Sequence, residues 1–228
     1  MTETAVKFSD VRYCYNEVCA VHDVSFDIEK GQLTALVGPN GGGKSTIIKL
    51  MSGFVRADEG KIAINSGSTI GYVAQNFGFD VSFPITVLEV VLSGALDKKI
   101  KPFRKYTKEQ VKRAEDAIEE VGLAGFEKRG INQLSGGQLK RVIIARALAS
   151  EADILVLDEP DSNLDAEAAK ELYMLLNDLK KIKTIVVASH HIDYILDIAD
   201  TAIYVNRKTQ NFEKPKQLKD KLKEGMVI

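Results

Sequence analysis

The sequence predicts an α/β fold with a mostly parallel sheet, preceded by an N-terminal antiparallel β subdomain and interrupted by a helical subdomain. Three observations predict it. Residues 5–37 alternate polar and apolar side chains between turn signals, which is typical of short antiparallel strands. An apolar run then leads through a glycine-rich loop into a helical run. Beyond residue 151, apolar runs alternate with helical patterns, as in parallel strands joined by crossover helices.

The glycine-rich loop fits the pattern G-x-x-x-x-G-K-[ST] at every fixed position. Glycines let main-chain N–H groups wrap around phosphates, and the following helix N terminus adds partial positive charge. Lys44 can reach the β- and γ-phosphates, and Ser45 can offer its hydroxyl to Mg²⁺. The sequence therefore predicts a phosphate-loop NTPase core. Its predicted nucleotide contacts are Gly38, Pro39, Asn40, Gly41, Gly42, Gly43, Lys44, Ser45 and Thr46.

The middle of the chain, residues 77–149, is mainly helical in pattern and is expected to form a second lobe. Within it, residues 107–121 open with a capping box made by Thr107 and Gln110. Their apolar side chains fall on one helical face, and Gly122 can end the helix.

The remaining segments, 1–76 and 150–228, are predicted to form the catalytic core of the same single domain, 1–228. The segment 150–228 is predicted to hold strands 154–157, 184–189 and 202–205 and helices 166–179 and 192–199. The lysine-rich segment 214–223 is expected only to aid solubility.

Two carboxylates follow the apolar strand at 154–157. A phosphate-loop protein needs an acid at a strand end near Ser45 to hold Mg²⁺, and Asp158 fits that role. Glu159, the next residue, can orient or polarise an attacking water.

A second helix N terminus suited to anions follows Leu134. Ser135, Gly136 and Gly137 precede Gln138 and a long helical run. One nucleotide has no need of two such cradles from one face. Two copies related by a two-fold axis could share them, with loop 38–46 from one copy and loop 134–138 from the other.

Composition excludes several classes of protein. The chain has 228 residues, 45% of them hydrophobic, and a net charge of −1, which gives no general electrostatic case for binding nucleic acid. No apolar run approaches the roughly 20 residues of a membrane span, and residues 1–12 lack the apolar core of a signal peptide. Any action at a membrane is therefore expected to depend on a partner.

The two cysteines, Cys14 and Cys19, are too few for a disulfide framework, and no Cys/His spacing suggests zinc. We expect them to be free thiols in a reducing cytoplasm.

The phosphate loop and the Leu-Ser-Gly-Gly-Gln stretch resemble the nucleotide-binding subunit of ABC transporters, over about residues 6–206. The resemblance implies that ATP is the nucleotide. It implies that Gln75 contacts Mg²⁺, the attacking water and the permease, and that Asp165 lies at the dimer interface. It also implies that His190 contacts the γ-phosphate and that Tyr15 stacks on adenine, with Tyr13 as the alternative.

The resemblance also implies partners, since the chain carries one cassette. These are a second copy on binding ATP, separate integral membrane permease subunits and, indirectly, an extracytoplasmic substrate-binding protein, with no nucleic acid. The expected location is the cytoplasmic face of the inner membrane. Two positions depart from the family pattern and receive no role: His191, where Asp is usual, and Asp161, where Thr is commoner.

The transported substrate is the least determined feature. Residues 75–94 contain Asp80, Phe83-Pro84, Thr86-Val87 and Gly94 in an order that resembles zinc- and manganese-type importers. Pro84 and Thr86 could instead simply begin a helix. The alternatives are an iron–siderophore or other importer, an exporter or lipoprotein-release system, and a soluble ABC ATPase such as an iron–sulfur assembly subunit.

Overall fold

The computed structural model describes residues 3–75, 83–96 and 105–226. The strands are β1 Thr4–Tyr15, β2 Val18–Glu29, β3 Leu33–Val37, β4 Glu59–Ile64, β5 Ile70–Val73, β6 Ile154–Asp158, β7 Thr184–Ala188, β8 Thr201–Asn206 and β9 Lys208–Phe212. The helices are α1 Lys44–Met51, α2 Val87–Leu92, α3 Lys108–Glu120, α4 Gly136–Ala149, α5 Ala166–Leu179, α6 Ile192–Ile198 and α7 Pro215–Lys223, with a 3-10 turn at Ile131–Gln133.

The larger sheet has six strands in the order β5-β6-β7-β3-β8-β9, parallel except for the antiparallel edge strand β9. Every residue of β3, β6 and β7 is buried, because helices or the second sheet cover both faces. The predicted α/β fold with a mostly parallel sheet is confirmed. The carboxyl ends of these parallel strands meet at one edge of the sheet, which is where ligands bind in such folds.

The smaller sheet is antiparallel, in the order β2-β1-β4, as the alternating pattern predicted. Helix α1 lies between the two sheets, and Ile47, Ile48 and Met51 are fully or almost fully buried there. Each such side chain contributes about 1.5–3 kcal/mol of hydrophobic free energy. This burial fixes α1, and with it the loop that precedes it, against both sheets.

Helices α2, α3 and α4 pack on one another and share a continuous apolar core with the other face of the large sheet. The predicted capping box is present: Thr107 caps α3 and Gln110 reciprocates. The predicted boundary of the helical subdomain at residue 77, and Asp80, lie outside the described residues. Among the described residues, no helix combines the length and apolar character that crossing a bilayer requires.

The expectation of free thiols is wrong, because Cys14 and Cys19 form a disulfide. A turn with Asn16 at φ 54° joins β1 to β2, and the register then sets Cys14 directly opposite Cys19. The number of cysteines argues only against a framework of several disulfides. A single disulfide across a tight hairpin needs just two cysteines in register.

The segment 214–223 is also more than solubilising. It contains all of α7, which buries Leu218 completely, and Lys219 pairs with Asp193 and Asp197 of α6. Two apolar side chains, Leu218 and Leu222, pack on the core from this lysine-rich stretch, and two positions were too weak a periodic signal to predict the helix.

Candidate active site

The glycine-rich loop runs from the end of β3 to the start of α1 and lies against the end of β8. A Cβ atom on Gly38 would lie 2.0 Å from the Val205 carbonyl oxygen, and one on Gly42 would lie 2.6 Å from it. The Arg207 N–H also donates to the Gly42 carbonyl at 2.7 Å. The loop thus requires glycine for its close packing on the neighbouring strand.

Helix α1 begins without a side-chain cap. Its N-cap is Gly43 with φ 106°, and no side chain accepts from its first N–H groups. By contrast, Thr86, Thr107, Ser135 and Asp165 cap α2, α3, α4 and α5. The uncapped N–H groups of α1 leave donors and partial positive charge for a phosphate group.

Lys44 lies over this loop and is 4% exposed. Its ammonium donates to the Gly38 and Pro39 carbonyl oxygens, each at 2.9 Å. Burial lowers the pKa of Lys44, and the charges of Glu159 and Asp158 oppose that fall. The ammonium therefore lies where it can meet a bound phosphate.

Ser45 and Asp158 supply two hard oxygen ligands beside the loop. The Ser45 hydroxyl donates to Asp158 Oδ1 at 3.0 Å, at the end of β6. Burial raises the pKa of Asp158, while the hydrogen bond from Ser45 lowers it. A hydroxyl from the first turn of α1 and a carboxylate from the end of β6 fit Mg²⁺, which takes oxygen ligands from protein and phosphate together.

Glu159 joins Gln75 and His190, which are far apart in the sequence. Gln75 Nε2 donates to Glu159 Oε2 at 2.6 Å, and His190 Nε2 lies 2.5 Å from Glu159 Oε1. The three residues follow β5, β6 and β7, which are adjacent in the large sheet. The predicted polar residues of these strand ends therefore form one cluster.

The cluster and the loop line a cleft of about 600 Å³. Tyr15, 44% exposed, lies on its wall. Tyr13 packs against the apolar core between the sheets and contacts Tyr15 edge to face. Arg207 also lines the cleft, which sequence reasoning missed because a turn between two strands carries no motif.

Ser135, Gly136, Gly137, Gln138 and Asp165 do not line this cleft in the described part of the chain. The Ser135 hydroxyl accepts from the Gln138 N–H at 3.3 Å, and Asp165 Oδ1 accepts from the Ala168 N–H at 2.8 Å. A Cβ on Gly137 would lie 3.1 Å from Ala168 Cβ. These residues therefore form a separate surface where α4 meets α5.

The fold and the cleft define a phosphate-loop α/β nucleotide-binding protein. A family described as ABC transporter matches residues 21–162, more than half of the chain. The chain belongs to the ABC transporter family. Within that family it is an ATP-binding cassette, the subunit that binds and hydrolyses ATP.

Two relatives and two solved structures illustrate the similarity. The manganese transport system ATP-binding protein MntB of Listeria innocua is 39% identical over 85% of this chain and 83% of its own length. The zinc uptake system ATP-binding protein ZurA of the same species is 35% identical over 89% and 83%. A nucleotide-free ATP-binding cassette from an ABC transporter superposes with a TM-score of 0.84 at 27% identity, over 97% of this chain and 96% of that one. The dimeric cassette MJ0796 bound to ADP and Pi gives 0.76 at 29% identity, over 92% and 98%.

Proposed function

We propose that this chain powers the import of a metal ion of the zinc or manganese type through a separate permease. The names of the most similar relatives, a manganese and a zinc transport system, support the substrate class. The observation that carries the enzymatic part is the Gln75–Glu159–His190 cluster at the edge of the phosphate-binding loop.

The roles of the residues follow from their chemistry. Ser45, Asp158 and Gln75 would hold Mg²⁺, which would neutralise phosphate charge when it is bound with ATP. Lys44 and the loop N–H groups hold the β- and γ-phosphates. Tyr15 stacks on the adenine.

The hydrolytic step uses Glu159 and His190. Water oxygen bonds to the γ-phosphorus as the bond from that phosphorus to the bridging oxygen breaks, and the Glu159 carboxylate accepts the water proton. ADP leaves with the bridging oxygen, and His190 donates to the transferring phosphate. Phosphate is then released.

Two copies are proposed to complete two such sites. Ser135, Gly136, Gly137 and Gln138 of one copy, with Asp165, face the nucleotide of the other. The surface formed by these residues, of which Ser135, Gly136 and Asp165 are exposed, supports this arrangement, as does the dimeric form of the relative bound to ADP and Pi.

The proposed location is the cytoplasmic face of the inner membrane, in contact with permease subunits. An extracytoplasmic binding protein would deliver the substrate to those permease subunits. Phe54 is 62% exposed and contacts Tyr72 edge to face on β5, the strand that leads to Gln75. Aromatic side chains are enriched at protein interfaces, so this pair is consistent with a permease contact near Gln75.

Replacement of Glu159 tests the enzymatic proposal. We expect Glu159→Gln to lower ATP turnover by at least about 100-fold, since it removes the general base. Nucleotide affinity should persist, and an ATP-dependent dimer should accumulate. Brisk ATP hydrolysis by the purified variant would refute the role of Glu159.

Capture of partners tests the transport proposal. Tagged Glu159→Gln protein with ATP should retain a multi-span membrane protein from a membrane extract of its own organism, identified by mass spectrometry. Wild-type protein without nucleotide is the matched control. A soluble partner alone would instead favour a non-transport ABC ATPase.

A further inference from the structure

A second carboxylate–histidine pair stands next to the Glu159–His190 pair along the same two segments. Asp161 Oδ2 lies 2.5 Å from His191 Nδ1. Asp161 follows Glu159 by two residues, and His191 follows His190 by one. The two positions at which the sequence departs from the family pattern are therefore the two partners of one contact.

Asp161 is deeply buried, at 2% exposure, and several donors converge on its Oδ2 atom. The Tyr173 hydroxyl donates to it at 2.6 Å and the Ser189 hydroxyl at 2.8 Å. Burial raises the pKa of Asp161, but the hydrogen bonds from Tyr173, Ser189 and His191 together hold it below its ordinary value. Burial and the Asp161 charge in turn raise the pKa of Tyr173, which keeps that hydroxyl a donor.

These contacts fix the chain on both sides of His190. Ser189 before it and His191 after it both bond to Asp161, and the His191 N–H also donates to the Ser189 hydroxyl at 2.9 Å. His190 itself points the other way, with Nε2 on Glu159. One buried carboxylate thus determines where the flanking residues lie, and with them the direction of the imidazole between.

Neighbouring side chains further restrain the contacts around Asp161. Tyr194 stacks on Tyr173 with ring centroids 5.8 Å apart and contacts the His191 ring edge at 6.4 Å. On the opposite side, the buried ammonium of Lys140 donates to the Gln75 carbonyl at 2.9 Å and to the Ser162 hydroxyl at 3.3 Å. Hydrogen bonds through Lys140 and Asp161 therefore link the residues that follow β5, β6 and β7, next to the Gln75–Glu159–His190 cluster.

We propose that Asp161, acting through Ser189 and His191, is a positioning residue for ATP hydrolysis that holds His190 in register with Glu159. This inference rests on the roles proposed above for Glu159 and His190. It assigns the pair to the hydrolytic step and not to nucleotide binding, because Asp161 and His191 do not line the cleft that holds the phosphate loop.

The test compares Asp161→Asn, His191→Asn and the double variant by steady-state ATPase kinetics and by binding of a non-hydrolysable ATP analogue. We expect each single variant to lower kcat by about 10- to 100-fold, as a displaced catalytic group does, with KM and analogue affinity within about twofold. The double variant should be no slower than Asp161→Asn, because both substitutions break one contact.

A matched control is Asp23→Asn, which alters the other Asp–His contact in the described chain. Asp23 contacts His22 at 3.3 Å on the surface, with its side chain 74% exposed, so its replacement should leave kcat unchanged. Histidine-labelled NMR supplies a direct readout, since the chain has three histidines. The His190 signal should shift in Asp161→Asn and not in Asp23→Asn.

The outcomes separate this inference from the proposed function. Wild-type kcat in Asp161→Asn beside an inactive Glu159→Gln would overturn the positioning role alone. Activity in both would overturn the catalytic assignment as well. Loss of analogue affinity in step with kcat would overturn the positioning role alone, because it would indicate that Asp161 has a general structural role. If Asp161→Asn fails to fold, the kcat of His191→Asn provides the test, because His191 is half-exposed and its replacement should be tolerated. Normal kcat in folded His191→Asn would overturn the inference.

Discussion

Glu159 is constrained in both its backbone and its side chain. It adopts φ 46°, a left-handed conformation that costs a non-glycine residue about 1–2 kcal/mol. Its N–H donates to the Ala188 carbonyl at 2.9 Å, which ties the end of β6 to the end of β7. Strain of this kind is typical of functional sites. The turn sets the carboxylate between Gln75 and His190.

The Asp161 carboxylate should make the stability of the fold depend on pH. The folded pKa of Asp161 is below its unfolded value, so its ionised form stabilises the fold above the unfolded pKa, near 3.9. That contribution is lost as pH falls through the folded pKa. We expect Asp161→Asn to lower the free energy of unfolding at pH 7 by about 1.5–3 kcal/mol.

Urea unfolding of both proteins from pH 7 down to pH 3 measures this effect. The gap between wild type and variant should narrow below about pH 4. A gap that widens in acid would show that ionised Asp161 destabilises the fold.

Among the elements, the phosphate loop depends on the end of β8. Gly42 approaches the Val205 carbonyl too closely for a Cβ atom, whereas Gly53 has φ 75° and open space around it. Gly42→Ala should therefore displace the loop and weaken ATP binding by about tenfold or more, since overpacking costs about 1–3 kcal/mol. Gly53→Ala should lower thermal stability by a comparable amount and leave ATP affinity intact.

Fluorescent ATP-analogue titration beside thermal unfolding distinguishes the two glycine variants. Equal losses of affinity in both would mean that contact with β8 does not shape the loop.

Helix α7 is held on the core mainly by packing and less by its ion pairs. Leu218 is completely buried, so Leu218→Ala should lower the free energy of unfolding by about 2–4 kcal/mol. Lys219 makes ion pairs with largely exposed aspartates of α6, so Lys219→Ala should cost less than about 1 kcal/mol. Chemical denaturation measures both. The reverse order would mean that α7 is held by charge and not by packing.

For the whole molecule, the proposal that two copies share each site predicts complementation. Lys44→Ala disables the loop side of a site, and Ser135→Arg disables the opposite side. Each variant alone should be inactive. In a random mixture about half of the dimers are mixed, and each mixed dimer has one intact site of two, so about a quarter of wild-type activity should return. Failure of the mixture to regain activity would argue against shared sites.

Motifs with local chemistry were predictable from the sequence, and long-range contacts were not. Residues that are close together in the sequence determine the phosphate loop, the capping box at Thr107 and the apolar strands before Asp158 and Ser189. The Cys14–Cys19 disulfide required the register of a hairpin. The Asp161–His191 contact required knowing that β6 and β7 are adjacent, so that two unassigned departures from a family pattern could meet.

Metal uptake by cells that carry Glu159→Gln at the chromosomal copy tests the central claim most directly. Cells are grown with limiting zinc or manganese, and cellular metal is measured by mass spectrometry beside wild type and a strain complemented with the unaltered chain. We expect uptake of one of these ions to fall and complementation to restore it. Unchanged uptake of both ions, with ATP hydrolysis by the purified variant abolished, would contradict this expectation.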